Sequence, residues 1–300
     1  MRLLILGNLD VNNDQLKVLD RLVDRYEFVQ EDTNDNRIRQ KLEEADIVFD
    51  CNFNLNKYIE NLSKVKLVVM AETGIVNIDM NKAREKQINV SNLKTYSKEA
   101  VAEYILYCLL DSVRPWKMLF NKNFDRRLLY NLKSYELSSM KIGIIGFGVI
   151  GEYISKVLKS INSNISATYS NSFNDDGINY KKVEDIFRES DKIIISCSLN
   201  TSSKGLINKK LFSLLKDNAT IISISSRNVI NVNDLYNLLR RRKDVEAYMD
   251  FDLYDNDKMI CNLDNAHISN HIAFYTKETL LNRTNQCIDI LKDFLNNKSK

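Results

Sequence analysis

From its first residues the chain alternates short apolar runs, rich in β-branched side chains, with longer stretches whose apolar residues recur at helical spacing. This alternation constrains the fold more than any other feature, because it is the pattern of parallel strands joined by helical crossovers. In the first part it predicts strands at Leu3–Leu6, Glu27–Gln30, Ile47–Asp50, Leu67–Met70 and Asn89–Val90, with helices over 12–25, 36–44, 55–63 and 79–86. The result is one doubly wound unit of about ninety residues, at the short end of domain sizes. Further strands are predicted at Ile142–Ile145, Ile165–Tyr169, Lys192–Ser196, Thr220–Ser223 and Ala247–Phe251.

Between the two sets the texture changes. Ser97 is a candidate N-cap for a helix in which Val101, Ile105, Leu109 and Val113 share one face, and Pro115, the only proline, should stop or kink it near Arg114. A last helix is expected from about Thr276 to Asn296 and can return to the first domain. At 300 residues and 44% hydrophobic the chain has enough apolar material for more than one core, so two domains are expected.

The 43 basic and 40 acidic residues leave a net charge of +3 and are interspersed, which argues against nucleic acid as a partner. The five cysteines are scattered, with no C-x-x-C pair and no metal-like spacing, and read as reduced. The first apolar run meets an acid within ten residues and reads as a strand, and no run approaches the roughly 20 residues that span a bilayer. A soluble cytoplasmic protein is therefore expected.

Gly146-Phe147-Gly148-Val149-Ile150-Gly151 matches G-x-G-x-x-G, follows the apolar run Ile142–Ile145 and opens a helix. That context is the one dinucleotide binding requires: Gly146 for a tight turn, Gly148 for close backbone approach to a pyrophosphate, Gly151 for packing of helix on strand. A nucleotide-binding methyltransferase shares such a loop.

Three downstream segments are similar to the D-isomer-specific 2-hydroxyacid dehydrogenase family: TIISISSRNVINVNDL (220–235), EAYMDFDLYDN (246–256) and NHIAFYT (270–276). ETGIVNID (72–79), VAEYIL (101–106) and DKIIISCSLNTSSKGLINKKLF (191–212) also resemble family segments, so the likeness runs along nearly the whole chain. The resemblance implies an α/β fold with a flavodoxin-like substrate domain, 1–95 with 276–300, and an inserted Rossmann NAD(P)-binding domain, 96–275. It implies hydride transfer between NAD(P)H and a small 2-oxo or 2-hydroxy acid such as glyoxylate or hydroxypyruvate. It also implies a homodimer through the region 100–140, where Trp116, Phe120 and Leu128–Tyr130 offer apolar contacts.

By the same likeness, Arg227 would bind the substrate carboxylate, and an arginine suits this because its guanidinium is a planar, permanently charged fork. His271 would be the proton donor. It is one of only two histidines, and His267 reads as a surface or packing residue. The family's histidine-orienting glutamate falls at Asp255, one methylene shorter, with Asp257 as an alternative partner. Thr73, Gly74 and Ile75 would join Arg227 at the substrate, and Leu199, Ser225 and Asp250 would join Gly146–Gly151 at the cofactor. The position that carries an acid in NAD-preferring Rossmann proteins is occupied here by Tyr169, followed by Ser170 and Asn171. With no carboxylate to repel a 2′-phosphate, NADP is expected over NAD. A non-catalytic NAD(P)H-sensing protein on the same fold is the alternative, although binding alone requires neither Arg227 nor His271.

Overall fold

Each of the ten predicted apolar runs is a parallel strand in the computed structural model, which describes residues 1–30, 32–75, 77–114, 134–162, 164–170, 175 and 177–298. The chain forms two compact units, Met1–Ser97 with Tyr275–Lys300 and Lys98–Phe274.

In the first unit, β1 (Arg2–Leu6), β2 (Arg25–Val29), β3 (Ile47–Asp50), β4 (Leu67–Met70) and β5 (Asn89–Asn92) form one sheet in the order β2-β1-β3-β4-β5. This is the flavodoxin-like order. Its central strands β1, β3 and β4 are buried on both faces, which is why they read as unbroken apolar runs. Helices α1 (Asn13–Leu22), α2 (Asp35–Glu44) and α3 (Met80–Glu85) start at Asn12, Asn34 and Asp79, whose side chains accept first-turn N–H groups. At Asn12 the cap is reciprocal, because Gln15 returns a bond to the Asn12 N–H.

The predicted helix over 55–63 is a 3-10 turn, Leu55–Asn61. Leu55 and Tyr58 stand three residues apart and both point inward, which the tighter coil achieves by aligning i and i+3. The final helix α9 (Lys277–Lys298) docks on this unit through polar bonds. Arg283 Nε donates to the Ala71 carbonyl at 2.6 Å and Gln15 Nε2 to Asn285 Oδ1 at 2.7 Å.

Asp50, at the end of β3, is fully buried and accepts the Phe53 N–H at 2.8 Å through Oδ1, while Oδ2 has no hydrogen-bond partner among the described residues. Burial pushes its carboxyl up to about 7. The folded protein thus holds this proton up to about pH 7, whereas the unfolded chain releases it near the ordinary 3.8. Stability is therefore lost as pH rises between those values, and the deficit is complete above pH 7. Asp50→Asn keeps the shape and the bond to Phe53 without an ionisable proton. Its Tm should match the parent's near pH 4 and exceed it at pH 8, by roughly 4 kcal/mol of stability for a shift of this size. A difference in Tm that does not change with pH would contradict this.

In the second unit, α4 (Lys98–Val113) ends two residues before Pro115. Then follow β6 (Ile142–Ile145), α5 (Val149–Lys159), β7 (Ile165–Thr168), β8 (Asn179–Lys181), α6 (Val183–Glu189), β9 (Lys192–Ile195), α7 (Lys209–Phe212), β10 (Thr220–Ser223), α8 (Val232–Arg241), β11 (Glu246–Met249) and β12 (Ala266–Ile268). The sheet order is β12-β11-β10-β9-β6-β7-β8, the doubly wound Rossmann order with one strand added, and it reverses between β6 and β9. β8 is not among the strands expected from sequence, and for β12 the expectation is only a strand start near His267. Both are three-residue edge strands, half-exposed and paired on one side only, so neither is a continuous apolar run. Trp116, Phe120 and Leu128–Tyr130, expected at a dimer contact, lie outside the described residues. Among the described residues no helix is long and apolar enough to cross a membrane.

Candidate active site

The glycine turn lies where the strand order reverses, the position at which open α/β sheets bind ligands. Gly146 has φ +95°, and a Cβ there would come within 2.4 Å of the Cys197 nitrogen in the loop after β9. A Cβ on Gly151 would lie 2.3 Å from the Gly146 carbonyl. Both positions are therefore closed to side chains by backbone. Gly148 differs, since a Cβ there would meet nothing within 4 Å, and as N-cap of α5 it supplies no side chain to the first turn. The first N–H groups of α5 have no partner within the helix, and these with the positive end of its dipole, next to the open side of Gly148, fit a dinucleotide pyrophosphate.

Neighbouring strand ends complete this site. Thr168, closing β7, accepts the Gly146 N–H at 2.9 Å, and Ser225 after β10 donates to the Cys197 carbonyl at 2.8 Å, tying the two loops together beside Leu199. Phe147 is buried edge-on against Tyr180 at 5.6 Å. Tyr169 meets the same ring at 6.0 Å but stays 71% exposed, beside the half-buried Ser170. Asn171 lies outside the described residues.

Arg227 begins the 3-10 turn Arg227–Val229, four residues past the end of β10. Its Nε donates to Asp257 Oδ2 at 2.5 Å, its Nη2 pairs with the same oxygen, and its guanidinium carbon sits 4.3 Å from the centre of the Tyr254 ring. Asp257, which the sequence left open as a partner of His271, is instead committed to Arg227. The acid run in this loop offered two candidates two residues apart, and the first turn of the 3-10 segment Asp255–Asn262 sets the direction of Asp257. The Asp255 side chain lies outside the described residues.

His271 and Asn270 both have left-handed backbones, φ +59° and +51°, a conformation that costs non-glycine residues of order 1 kcal/mol or more. Asp250, directly after β11 and 3% exposed, holds them there. Its Oδ1 accepts from Ser269 Oγ at 2.6 Å and the Ile272 N–H at 2.7 Å, and its Oδ2 accepts the Ala273 N–H at 2.9 Å. Tyr104 of α4 lies 2.7 Å from Ser269 Oγ and extends this chain of bonds. Asp250, expected at the cofactor, is thus seen as the anchor of the histidine segment. Its signal in the sequence was an acid placed immediately after an apolar strand.

The imidazole Nδ1 of His271 lies 3.9 Å from Asp252, with both side chains more than half exposed. His267 stacks on Tyr248 at 4.3 Å in β12, a packing role. In the first unit, Thr73–Ile75 follow β4, with the Thr73 carbonyl accepting from Asn92 Nδ2 at 2.6 Å, Gly74 open to solvent on its Cβ side and Ile75 41% exposed.

Residues 108–273 match the family model described as D-isomer specific 2-hydroxyacid dehydrogenase, NAD binding domain. A D-2-hydroxyacid dehydrogenase (NAD(+)) of Clostridioides difficile is 26% identical over 94% of this chain and 93% of its own length. A hydroxypyruvate reductase of Blautia hydrogenotrophica is 24% identical over 88% and 86%. Among solved structures, an acyclic imino acid reductase in complex with NADPH and D-Arg superposes with a TM-score of 0.87, at 22% identity, over 99% of this chain and 98% of that one.

Proposed function

The chain belongs to the D-isomer specific 2-hydroxyacid dehydrogenase family, and from that membership we propose that it reduces small 2-oxo acids of the glyoxylate and hydroxypyruvate class, with Arg227 and His271 at the reacting carbon. The observation that carries the assignment is a single loop, Asp250–Asp257, that serves both residues. Asp250 anchors the His271 segment and Asp252 faces its ring, while Tyr254 and Asp257 hold Arg227.

When bound, the nicotinamide supplies the hydride. Arg227 grips the substrate carboxylate with two charge-assisted bonds and fixes which face of the oxo carbon is presented. His271 donates a proton to the oxygen as negative charge develops on it. In this reading its carboxylate partner comes from the acidic loop. Asp255 retains the role inferred by likeness, and Asp252 is the one such group the described residues set against the ring. Thr73–Ile75 belong to the substrate site in the same reading. So does a homodimer through α4, where Tyr107 and Leu110 stay uncovered on the single chain. Nothing in the comparisons supports the non-catalytic alternative.

The cofactor reading favours NADPH, because the end of β7 presents Tyr169 and Ser170 where a carboxylate would repel a 2′-phosphate. The test is oxidation of NADPH and NADH with glyoxylate, hydroxypyruvate and pyruvate. Turnover with at least one acid and a lower KM for NADPH are expected, and Tyr169→Asp should shift the preference toward NADH by about tenfold. No oxidation with any of the three acids would overturn the activity, and tighter binding of NADH by the parent would overturn the cofactor choice.

A further inference from the structure

Resting on the reading of Arg227 as the carboxylate ligand, we infer that Asp257 and Tyr254 are positioning residues that turn Arg227 so that only the end of its guanidinium meets the substrate. A guanidinium offers five N–H donors and can clasp a carboxylate side-on, through Nε and Nη2, or end-on, through Nη1 and Nη2. Here the side-on edge is spent, since Nε donates to Asp257 Oδ2 and Nη2 is ion-paired with the same oxygen. Asp257 cannot turn away. Its side chain is 4% exposed, and the same oxygen also accepts the Tyr254 N–H at 3.3 Å, closing the first turn of Asp255–Asn262. The Tyr254 ring covers one face of the guanidinium at 4.3 Å, a cation–π contact that resists rotation out of the plane. What remains is the Nη1/Nη2 end, on a side chain that is 23% exposed. A flat carboxylate in the plane of the guanidinium satisfies that end with two parallel bonds. The group so recognised is the carboxylate of the oxo acid, lying in a plane set by Asp257 and Tyr254.

Two effects of removing Asp257 have opposite signs, which makes the inference decidable. If Asp257 acted only by its charge, its loss would leave Arg227 more attractive to an anion and binding would tighten. If it positions Arg227, its loss frees the fork and binding weakens. The experiment measures Kd for oxamate, a non-reducible oxo-acid analogue, on the enzyme saturated with reduced cofactor, alongside KM and kcat for the best oxo acid. Asp257→Ala should raise Kd and KM about tenfold, the order of one charge-assisted bond. Asp257→Asn, which keeps an acceptor, should raise them about threefold, with kcat and cofactor Kd changed less in both. Tyr254→Leu, at a 58% exposed site that leaves folding intact, should also raise them about threefold.

Placed on Arg227→Lys, the Asp257→Ala change should add no further loss, because a residue acting through Arg227 has nothing left to position, whereas a general structural defect would multiply. Unchanged or tighter oxamate binding in both Asp257 variants, or losses that multiply in the double variant, overturns the positioning role. A parent enzyme that reduces no oxo acid and binds no oxamate overturns the carboxylate reading of Arg227 itself.

Discussion

Replacing His271 with Asn should lower kcat/KM for oxo-acid reduction by about 10²–10⁴, the range that a positioned general acid contributes. The dissociation constant of the reduced dinucleotide should not change. The two effects separate because the residues placed at the pyrophosphate, around Gly148 and the first turn of α5, are distinct from the loop that carries His271. Asn tolerates the left-handed backbone at 271, so the substitution removes the proton donor without releasing the strained segment. A variant retaining more than about a tenth of parental kcat/KM would exclude His271 as the acid.

Arg227→Lys should be the next most damaging change, raising the oxo-acid KM by about ten- to a hundredfold, the equivalent of one or two hydrogen bonds to a charged group. Charge is conserved and geometry is not. A single Nζ can serve Asp257 or the substrate but not both in plane, and Asp257, buried and already tied to the Tyr254 N–H, competes for it. Cofactor Kd should stay at the parental value. An unaltered KM for every oxo acid would remove Arg227 from the substrate site.

Both predictions rest on residues whose candidacy was readable from the chain, while their working geometry was not. Arg227 was legible because an apolar run ends just before it, placing it at the carboxyl edge of a sheet. His271 was legible because the chain has only two histidines and one lies in a recognisable segment. Asp257 was legible only as an alternative to Asp255 beside His271, and its contact with Arg227 was not. The acids at 250, 252, 255 and 257 are chemically alike, and the folded loop gives three of them separate work: Asp250 on the Ile272 and Ala273 N–H groups, Asp252 beside His271, Asp257 on Arg227. Tyr254, an exposed loop aromatic by sequence, becomes the platform under the guanidinium.

The same division runs through the fold. Strands buried on both faces, such as Ile47–Asp50 and Ile142–Ile145, announce themselves as apolar runs because burial admits little else, and the glycine turn announces itself because backbone atoms at 2.3–2.4 Å leave no room for a Cβ at 146 or 151. These are demands made on each residue by its own surroundings, and local composition records them. The edge strands Asn179–Lys181 and Ala266–Ile268 make no such demand, since one side faces no partner strand and a polar residue costs little there. The partner of a carboxylate, the orientation of a guanidinium and the unpaired oxygen of Asp50 are relations between residues brought together from distant positions in the chain or around a turn. Sequence alone therefore determined the two α/β sheets, the glycine turn and the candidacy of Arg227 and His271. Tertiary structure decided which acid meets which base, because a hydrogen bond depends on angles and distances of a few tenths of an ångström, and residue order along a loop does not encode them.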